Sequence, residues 1–193
     1  QASAIGVSLF VNQSYSDPAY RELFQNLKFR QALSLAIDRD TLNELIFLGQ
    51  GVARTETVVP DAPYYIPELE DYYAQYDPEA AIALLDEIGL PVGADGFRTF
   101  PDGSPLLIEI ATSGMQFGEA DTVELTSEWW NAIGIKTDFH IMTREIYWDY
   151  ASNNEAMVTT WDQGRALTPM VDPIGIFPFD NRAWIAPAFG DWY

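Results

Sequence analysis

The sequence contains no cysteine and only one histidine, His140. Without cysteine the chain forms no disulfide, no thiolate zinc site and no thiol nucleophile. A Ser-His-Asp triad and most zinc sites would have to use His140, which lies in the middle of a predicted strand. We therefore interpret His140 as an ordinary strand residue. No glycine-rich phosphate loop of recognised spacing occurs either, so we expect no cofactor, no metal and no catalytic residue.

Basic residues are scarce as well. The 193 residues include 10 Lys+Arg against 29 Asp+Glu, which gives a net charge of −19. Such a charge argues against binding to nucleic acid or to an anionic membrane surface, because it would repel phosphates. No run approaches the ~18 apolar residues that a membrane helix needs. The 48% hydrophobic content suffices for a real core, and the length suits one ordinary domain or two small ones.

Acidic residues form several pairs that have to be weighed as catalytic carboxylates. A glycosidase places two carboxylates across a sugar at ~5 to 10 Å. Asp86 and Glu87 lie opposite the apolar face of their predicted helix, and Glu124 and Glu128 share an exposed helix face. We interpret these pairs as solvated surface, and we keep an acidic carbohydrate-active hydrolase as an alternative function.

Hydrophobic spacing predicts an alternation of strands and helices. The predicted strands are 5–11, 106–112, 135–142 and 156–161, with a short hairpin arm at 97–100; the predicted helices are 28–37, 41–48, 78–88, 119–132 and 144–151, with Ile146, Tyr147 and Tyr150 facing inward in the last of them. Residues 12–18 read as a turn. The β-α-β-α-β order indicates an α/β fold with a mixed sheet and crossover helices. Residues 162–193 are predicted to be an irregular segment without a closing helix.

Three residues stand where a strand gives way to this segment. Trp161 ends the last predicted strand, and Asp162 and Arg165 follow it. In open α/β sheets ligands bind outside the carboxyl ends of the strands. An indole, a carboxylate and a guanidinium at that place would hold a zwitterion or a polyol. The alternative is a loop anchored by a core tryptophan and a surface ion pair, and the spacing alone leaves both interpretations open.

Several segments carry a family resemblance. Residues 28–39 (KFRQALSLAIDR) are similar to the "vRqAlsyAiDR" segment of family 5 extracellular solute-binding proteins, the peptide, nickel and oligosaccharide receptors of bacterial ABC importers. Four further matches follow in the family's order: 76–85 with its "yDpekAkaLL" helix, 95–106 with its "DG…dGkpL" hairpin, 129–136 with its "l…lGIkv" stretch, and Trp161 with Asp172-Pro173 with its "gW…DPd" loop. The resemblance runs from about residue 8 to about residue 180.

The resemblance implies that residues 1–193 form one lobe of a two-lobed architecture like that of periplasmic binding proteins, with 162–193 as an irregular segment on the ligand side and between the lobes. It implies a receptor that captures a peptide, oligosaccharide or similar small solute by hinge closure and delivers it to a membrane permease. It further implies a missing first lobe as partner and a periplasmic or extracytoplasmic location, with a lipid anchor possible. Because the chain starts at Gln1 and stops after an aromatic, proline-rich stretch, we expect a piece of a longer protein.

The resemblance also assigns candidate ligand-binding residues. In the family, the tryptophan at the strand end and an acid beyond it line the solute cleft, which here gives Trp161 and Asp162. Peptide receptors place the acid a few residues later, so peptide specificity does not follow. Arg165 is the candidate donor to a carboxylate or a sugar hydroxyl. A ligand-sensing lobe without transport is a further alternative.

Overall fold

A mixed four-stranded sheet forms the centre of the molecule, and helices and loops cover it. The computed structural model describes residues 6–55, 57–58, 60, 62–63, 65–162 and 177–192. The elements in chain order are β1 (Val7–Val11), α1 (Pro18–Gln25), α2 (Leu27–Leu35), α3 (Arg39–Leu45), a 3-10 turn (Pro67–Leu69), α4 (Pro78–Glu87), β2 (Leu107–Thr112), α5 (Glu119–Ala132), β3 (Lys136–Ile141), α6 (Arg144–Ser152), β4 (Val158–Asp162) and α7 (Pro187–Trp192). Within this part of the chain, no helix combines the length and the apolar character needed to cross a membrane.

The strand order is β1-β4-β2-β3. β2 is parallel to both β3 and β4, whereas β1 runs antiparallel to β4 and places Val7 opposite Asp162. Parallel neighbours require crossover connections, which α5 and α6 supply. The carboxyl ends of β2, β3 and β4 therefore meet at one edge of the sheet, which we call the carboxyl edge.

The structure confirms the predicted α/β fold with a mixed sheet and crossover helices, and it corrects the local predictions in three places. Residues 12–18 are not only a turn, because α1 begins at Pro18 with Asp17 as its N-cap, the Asp17 carboxylate accepting two backbone N–H groups. α7 lies within the segment predicted to be irregular. Ile146, predicted to face inward, is 59% exposed, whereas Tyr147 is fully buried as expected.

The main core lies between the helices and one face of the sheet. Its fully buried members include Phe29 of α2, Leu85 of α4, Ile108 of β2 and Val123 of α5. Trp130 crosses this core, and its indole N–H donates to the Leu33 carbonyl at 3.0 Å. This bond joins α5 to α2 and removes the cost of burying an unpaired indole N–H.

Arg98 is a buried cation whose hydrogen bonds connect the 97–100 segment to α4 and to the residues that follow α4 and α5. Only 2% of its side chain is exposed. Its guanidinium bonds the Asp86 carboxylate at 2.7 Å, the Leu90 carbonyl at 2.7 Å and the Ile133 carbonyl at 3.3 Å. Asp86, interpreted from the sequence as solvated surface, is indeed largely exposed, but it also neutralises this buried charge.

We expect Arg98→Met to lower the free energy of unfolding by about 3 kcal/mol, because it leaves buried carbonyls without donors. Lys28→Met is the control, since Lys28 and Glu87 form an ion pair of two largely exposed side chains. That change should cost about 0.5 kcal/mol. Urea denaturation followed by tryptophan fluorescence measures both values, and equal effects would contradict the role given to Arg98.

Candidate functional site

Trp161 is held at the carboxyl edge by packing against other aromatic side chains. We call this group the aromatic cluster; it consists of Phe10, Tyr147, Trp148, Trp161 and Trp184. Trp161 stacks on Tyr147 with ring centres 6.0 Å apart and planes 12° from parallel. Trp148 and Trp184 meet it edge-on at 5.2 and 5.4 Å. Trp161 itself remains only half-buried. The cluster thus fixes the indole while part of it stays accessible at the end of β4.

Tyr147 also holds the backbone of β4 in place. Its buried phenol O–H donates to the Thr160 carbonyl, directly before Trp161. Burial, together with the negative charge of Glu119, raises the pKa of Tyr147 well above its ordinary value. The phenol therefore stays protonated and keeps donating at any physiological pH.

Glu119 is a fully buried carboxylate at the same edge, and sequence reasoning missed it. It opens α5, and its carboxylate accepts from the Thr160 hydroxyl at 2.6 Å, the Ser113 hydroxyl at 3.0 Å and the Gln116 N–H at 3.1 Å. These bonds tie the β2–α5 loop to the end of β4. A glutamate in the first turn of a helix is usually exposed, and the sequence gives no sign that Glu119 is buried. Its hydrogen-bond donor Thr160 is brought to it only by the tertiary structure.

The β2–α5 loop also rests against the end of α3. Gly118 has φ +70°, and a Cβ placed there would collide with Ile46 Cγ2. Beside Gly118, the ring centres of Phe117 and Phe47 are 6.0 Å apart. The loop requires glycine at this position for its backbone conformation and for the close approach of Ile46.

The predicted site residues do not all face the same way. Thr160 bonds Glu119 of α5 on one sheet face, whereas Trp161 stacks on Tyr147 of α6 on the other. Side chains alternate along a strand, so Asp162, half-buried opposite Val7, belongs to the face of Thr160. Arg165 lies outside the described residues. The structure thus places Trp161 and Asp162 next to each other at the carboxyl edge but on opposite faces of β4.

A cleft of about 370 Å³ runs beside β1, and we call it the β1 cleft. Every residue of β1 borders it, together with residues of α2, α3 and the 51–55 loop. Three arginines line it, Arg30, Arg39 and Arg54, and the described lining residues include no aspartate or glutamate. The Arg54 guanidinium is paired with the Glu70 carboxylate at 2.7 Å, so Arg30 and Arg39 carry the positive charge of the cleft.

The described residues contain no cluster of three or more His, Cys, Asp or Glu side chains that would hold a metal ion. His140 lies on β3 with its side chain 47% exposed and its Nε2 3.9 Å from the Asp138 carboxylate. Its position agrees with its interpretation as an ordinary strand residue. Glu124 and Glu128 are exposed on α5, as expected of solvated surface.

Comparison with known proteins gives a consistent result. The family model described as "Bacterial extracellular solute-binding proteins, family 5 Middle" matches residues 1–179. Heme-binding protein A of Haemophilus influenzae is 33% identical over 115 residues, which make up 60% of this chain and 19% of that protein. A structure of an oligopeptide-binding protein, OppA, superposes with a TM-score of 0.85 at 35% identity, covering 91% of this chain and 28% of that one.

A further solved structure extends the likeness in fold. The binding protein MelB of Agrobacterium fabrum C58, in complex with stachyose, superposes with a TM-score of 0.77 at 21% identity. The match covers 97% of this chain and 30% of that one. The chain thus spans less than a third of the length of each of these three relatives.

The bond between Thr160 and Glu119 can be tested with two buried threonines. We expect Thr160→Val to lower the free energy of unfolding by about 2 kcal/mol, because a buried carboxylate loses a donor. Thr126→Val is the matched control: Thr126 is equally buried, but its hydroxyl has no partner among the described residues. Urea denaturation should show little or no loss for Thr126→Val, and similar losses for both variants would refute the importance of the bond.

Two glycine-to-alanine variants distinguish the cost of backbone strain from the cost of a steric collision. Gly89 has φ +79°, and a Cβ added there would meet no atom within 4 Å, so Gly89→Ala should cost about 1 kcal/mol of strain alone. Gly118→Ala adds the collision with Ile46 and should cost about 3 kcal/mol. Thermal unfolding of both variants measures the difference. Equal costs would mean that the β2–α5 loop moves away from α3 without penalty.

Proposed function

Since this chain belongs to the bacterial extracellular solute-binding proteins of family 5, we propose that it is one lobe of an ABC-importer receptor. The receptor captures a peptide, an oligosaccharide or a similar small solute and delivers it to a membrane permease. The match with an oligopeptide-binding protein over 91% of the chain at 35% identity carries this proposal. The stachyose-bound relative supports keeping oligosaccharides among the candidate solutes.

The proposed mechanism is hinge closure onto the carboxyl edge. A solute between two lobes gains contacts with both only in the closed state, and these contacts supply the free energy of closure. The lobe described here would contribute a preformed surface, because Tyr147 and Glu119 fix the end of β4 before any solute arrives. A preorganised surface loses little entropy on binding.

Three residues receive roles in this proposal. Trp161 provides a flat apolar surface for stacking, supported by its half-buried position in the aromatic cluster. Asp162 accepts from a cation or hydroxyl of the solute on the other face of β4. Arg165 donates to a carboxylate or hydroxyl.

Family 5 proteins are binding receptors of the periplasm or cell exterior. We propose accordingly that this receptor catalyses no reaction, needs no cofactor, and works outside the cytoplasm beside its permease, with or without a lipid anchor. Its acidic surface fits these partners better than nucleic acid, since a net charge of −19 repels phosphates.

Solute binding by the full-length receptor tests the proposal. A thermal-shift screen against short peptides and oligosaccharides identifies a solute, and calorimetry measures its affinity. Trp161→Leu keeps an apolar side chain in the aromatic cluster but removes the flat ring. We expect it to weaken binding about thirtyfold, equivalent to about 2 kcal/mol.

Trp129→Leu is the control for this experiment. Trp129 lies near the carboxyl-terminal end of α5, whereas Glu119 at its start contacts β4, and Trp129 packs against Tyr76. It should leave the affinity unchanged. An unchanged affinity in Trp161→Leu would make Trp161 a packing residue only. Hydrolysis of a bound oligosaccharide would favour the hydrolase alternative, and tight binding without solute uptake in cells would favour the sensing alternative.

A further inference from the structure

The β2–α5 loop and the end of β3 beside it carry exposed apolar side chains at the carboxyl edge. Phe117 is 67% exposed, Ile141 at the end of β3 is 60% exposed, and Met115 is 57% exposed. The Phe117 ring lies 6.0 Å from that of the half-buried Phe47. A Cβ added at Gly114 would lie 3.1 Å from Ile141 Cγ2, so the loop touches the end of β3. These contacts make Phe47, Met115, Phe117 and Ile141 one surface, which we call the apolar patch.

The loop that carries most of the apolar patch bonds its own polar groups. The N–H groups of residues 114–116 donate in turn to the Thr112 hydroxyl, the Ser113 hydroxyl and the Glu119 carboxylate, at 3.2, 3.3 and 3.1 Å. The Ser113 hydroxyl itself donates to Glu119 at 3.0 Å. Backbone donors that are paired in this way are not available to a sugar hydroxyl or an anion. The loop therefore presents a preformed surface whose exposed chemistry is that of its apolar side chains.

The chemistry of the apolar patch indicates which part of a solute it would contact. None of its four side chains donates a hydrogen bond. A sugar hydroxyl buried against Met115 or Ile141 would lose its bonds to water without replacement, which costs free energy. A large apolar group would instead gain free energy, because both surfaces leave water. Of the peptides and oligosaccharides in the proposed function, only peptides carry such groups.

We propose that the apolar patch is a specificity surface that holds a large apolar side chain of a bound peptide. It favours peptides with aromatic or large aliphatic residues over peptides of small residues and over oligosaccharides. Phe117 and Ile141 are the residues that determine this choice. The assignment rests on the proposed function, since it requires a solute held at the carboxyl edge.

A solute fits the apolar patch better than the other lobe of the receptor does. Direct apolar contact between two lobes would stabilise the closed state with no solute present. A receptor closed in that way would bind solute more weakly, because its open, binding-competent state would be less populated. Contact through a solute side chain makes closure depend on the solute instead.

Calorimetry on the full-length receptor tests this proposal with four probes, which are trialanine and the three tripeptides made of one phenylalanine and two alanines. We expect the best phenylalanine peptide to bind about thirtyfold more tightly than trialanine, because its ring is removed from water. Equal affinities for all four peptides overturn the proposal. Binding of stachyose without binding of any of the four also overturns it and leaves the proposed function intact. Failure to bind any peptide or oligosaccharide overturns the proposed function, and the specificity surface with it.

Variants at opposite edges of the sheet show where the preference arises. Phe117→Ala should lower the preference to about threefold and leave the affinity for trialanine unchanged. Ile141→Thr, which keeps a β-branched residue at the end of β3, should also lower it. Phe189→Ala is the matched control, because Phe189 is 49% exposed and lies in α7, where the Ala188 N–H donates to the Ser14 hydroxyl beyond the end of the antiparallel β1. It should leave all affinities unchanged.

The same measurements separate a solute contact from a contact between lobes. If Phe117→Ala weakens the binding of trialanine and of the phenylalanine peptides by the same factor, the apolar patch contacts the other lobe and the proposal is overturned. An unchanged preference in both Phe117→Ala and Ile141→Thr overturns it as well.

Discussion

The carboxyl edge depends on one buried carboxylate. Glu119 accepts hydrogen bonds from the β2–α5 loop and from Thr160 of β4, and so joins two strand ends that the sheet ladder alone would leave free to diverge. The carboxylate thus holds the β2–α5 loop against the end of β4, whose last residues also pair with Val7–Leu9 of β1. Tyr147 completes the arrangement by bonding the carbonyl of the same threonine.

The aromatic cluster explains how Trp161 can be packed against its neighbours while part of its indole stays accessible. An indole on a mobile loop would lose conformational entropy on meeting a solute, whereas one held by Tyr147, Trp148 and Trp184 has already lost it during folding. The two alternatives that the sequence left open for Trp161 are therefore not exclusive. The same packing that makes it a core residue also orients its accessible part.

The lobe has two surfaces of different chemistry, the carboxyl edge at the end of β4 and the β1 cleft. The carboxyl edge has an aromatic ring and a carboxylate on opposite faces of one strand, while the β1 cleft is lined by apolar side chains and by Arg30, Arg39 and Arg54. The two surfaces are thus chemically distinct.

The sequence by itself determined the strands, the central helices and the crossover order, because apolar spacing reports directly which face of an element is buried. The predicted helix starts at 41 and 78 lie close to the observed starts of α3 and α4, where the carboxylates of Asp38 and Asp77 accept backbone N–H groups. It did not reveal α1, whose Asp17-Pro18 start was read as a turn, nor the burial of Glu119. Tertiary structure alone decided which helix lies on each face of β4, with Glu119 of α5 against Thr160 and Tyr147 of α6 against Trp161. Such facts depend on partners distant in sequence, such as Thr160 for Glu119, and spacing along the chain carries no record of them.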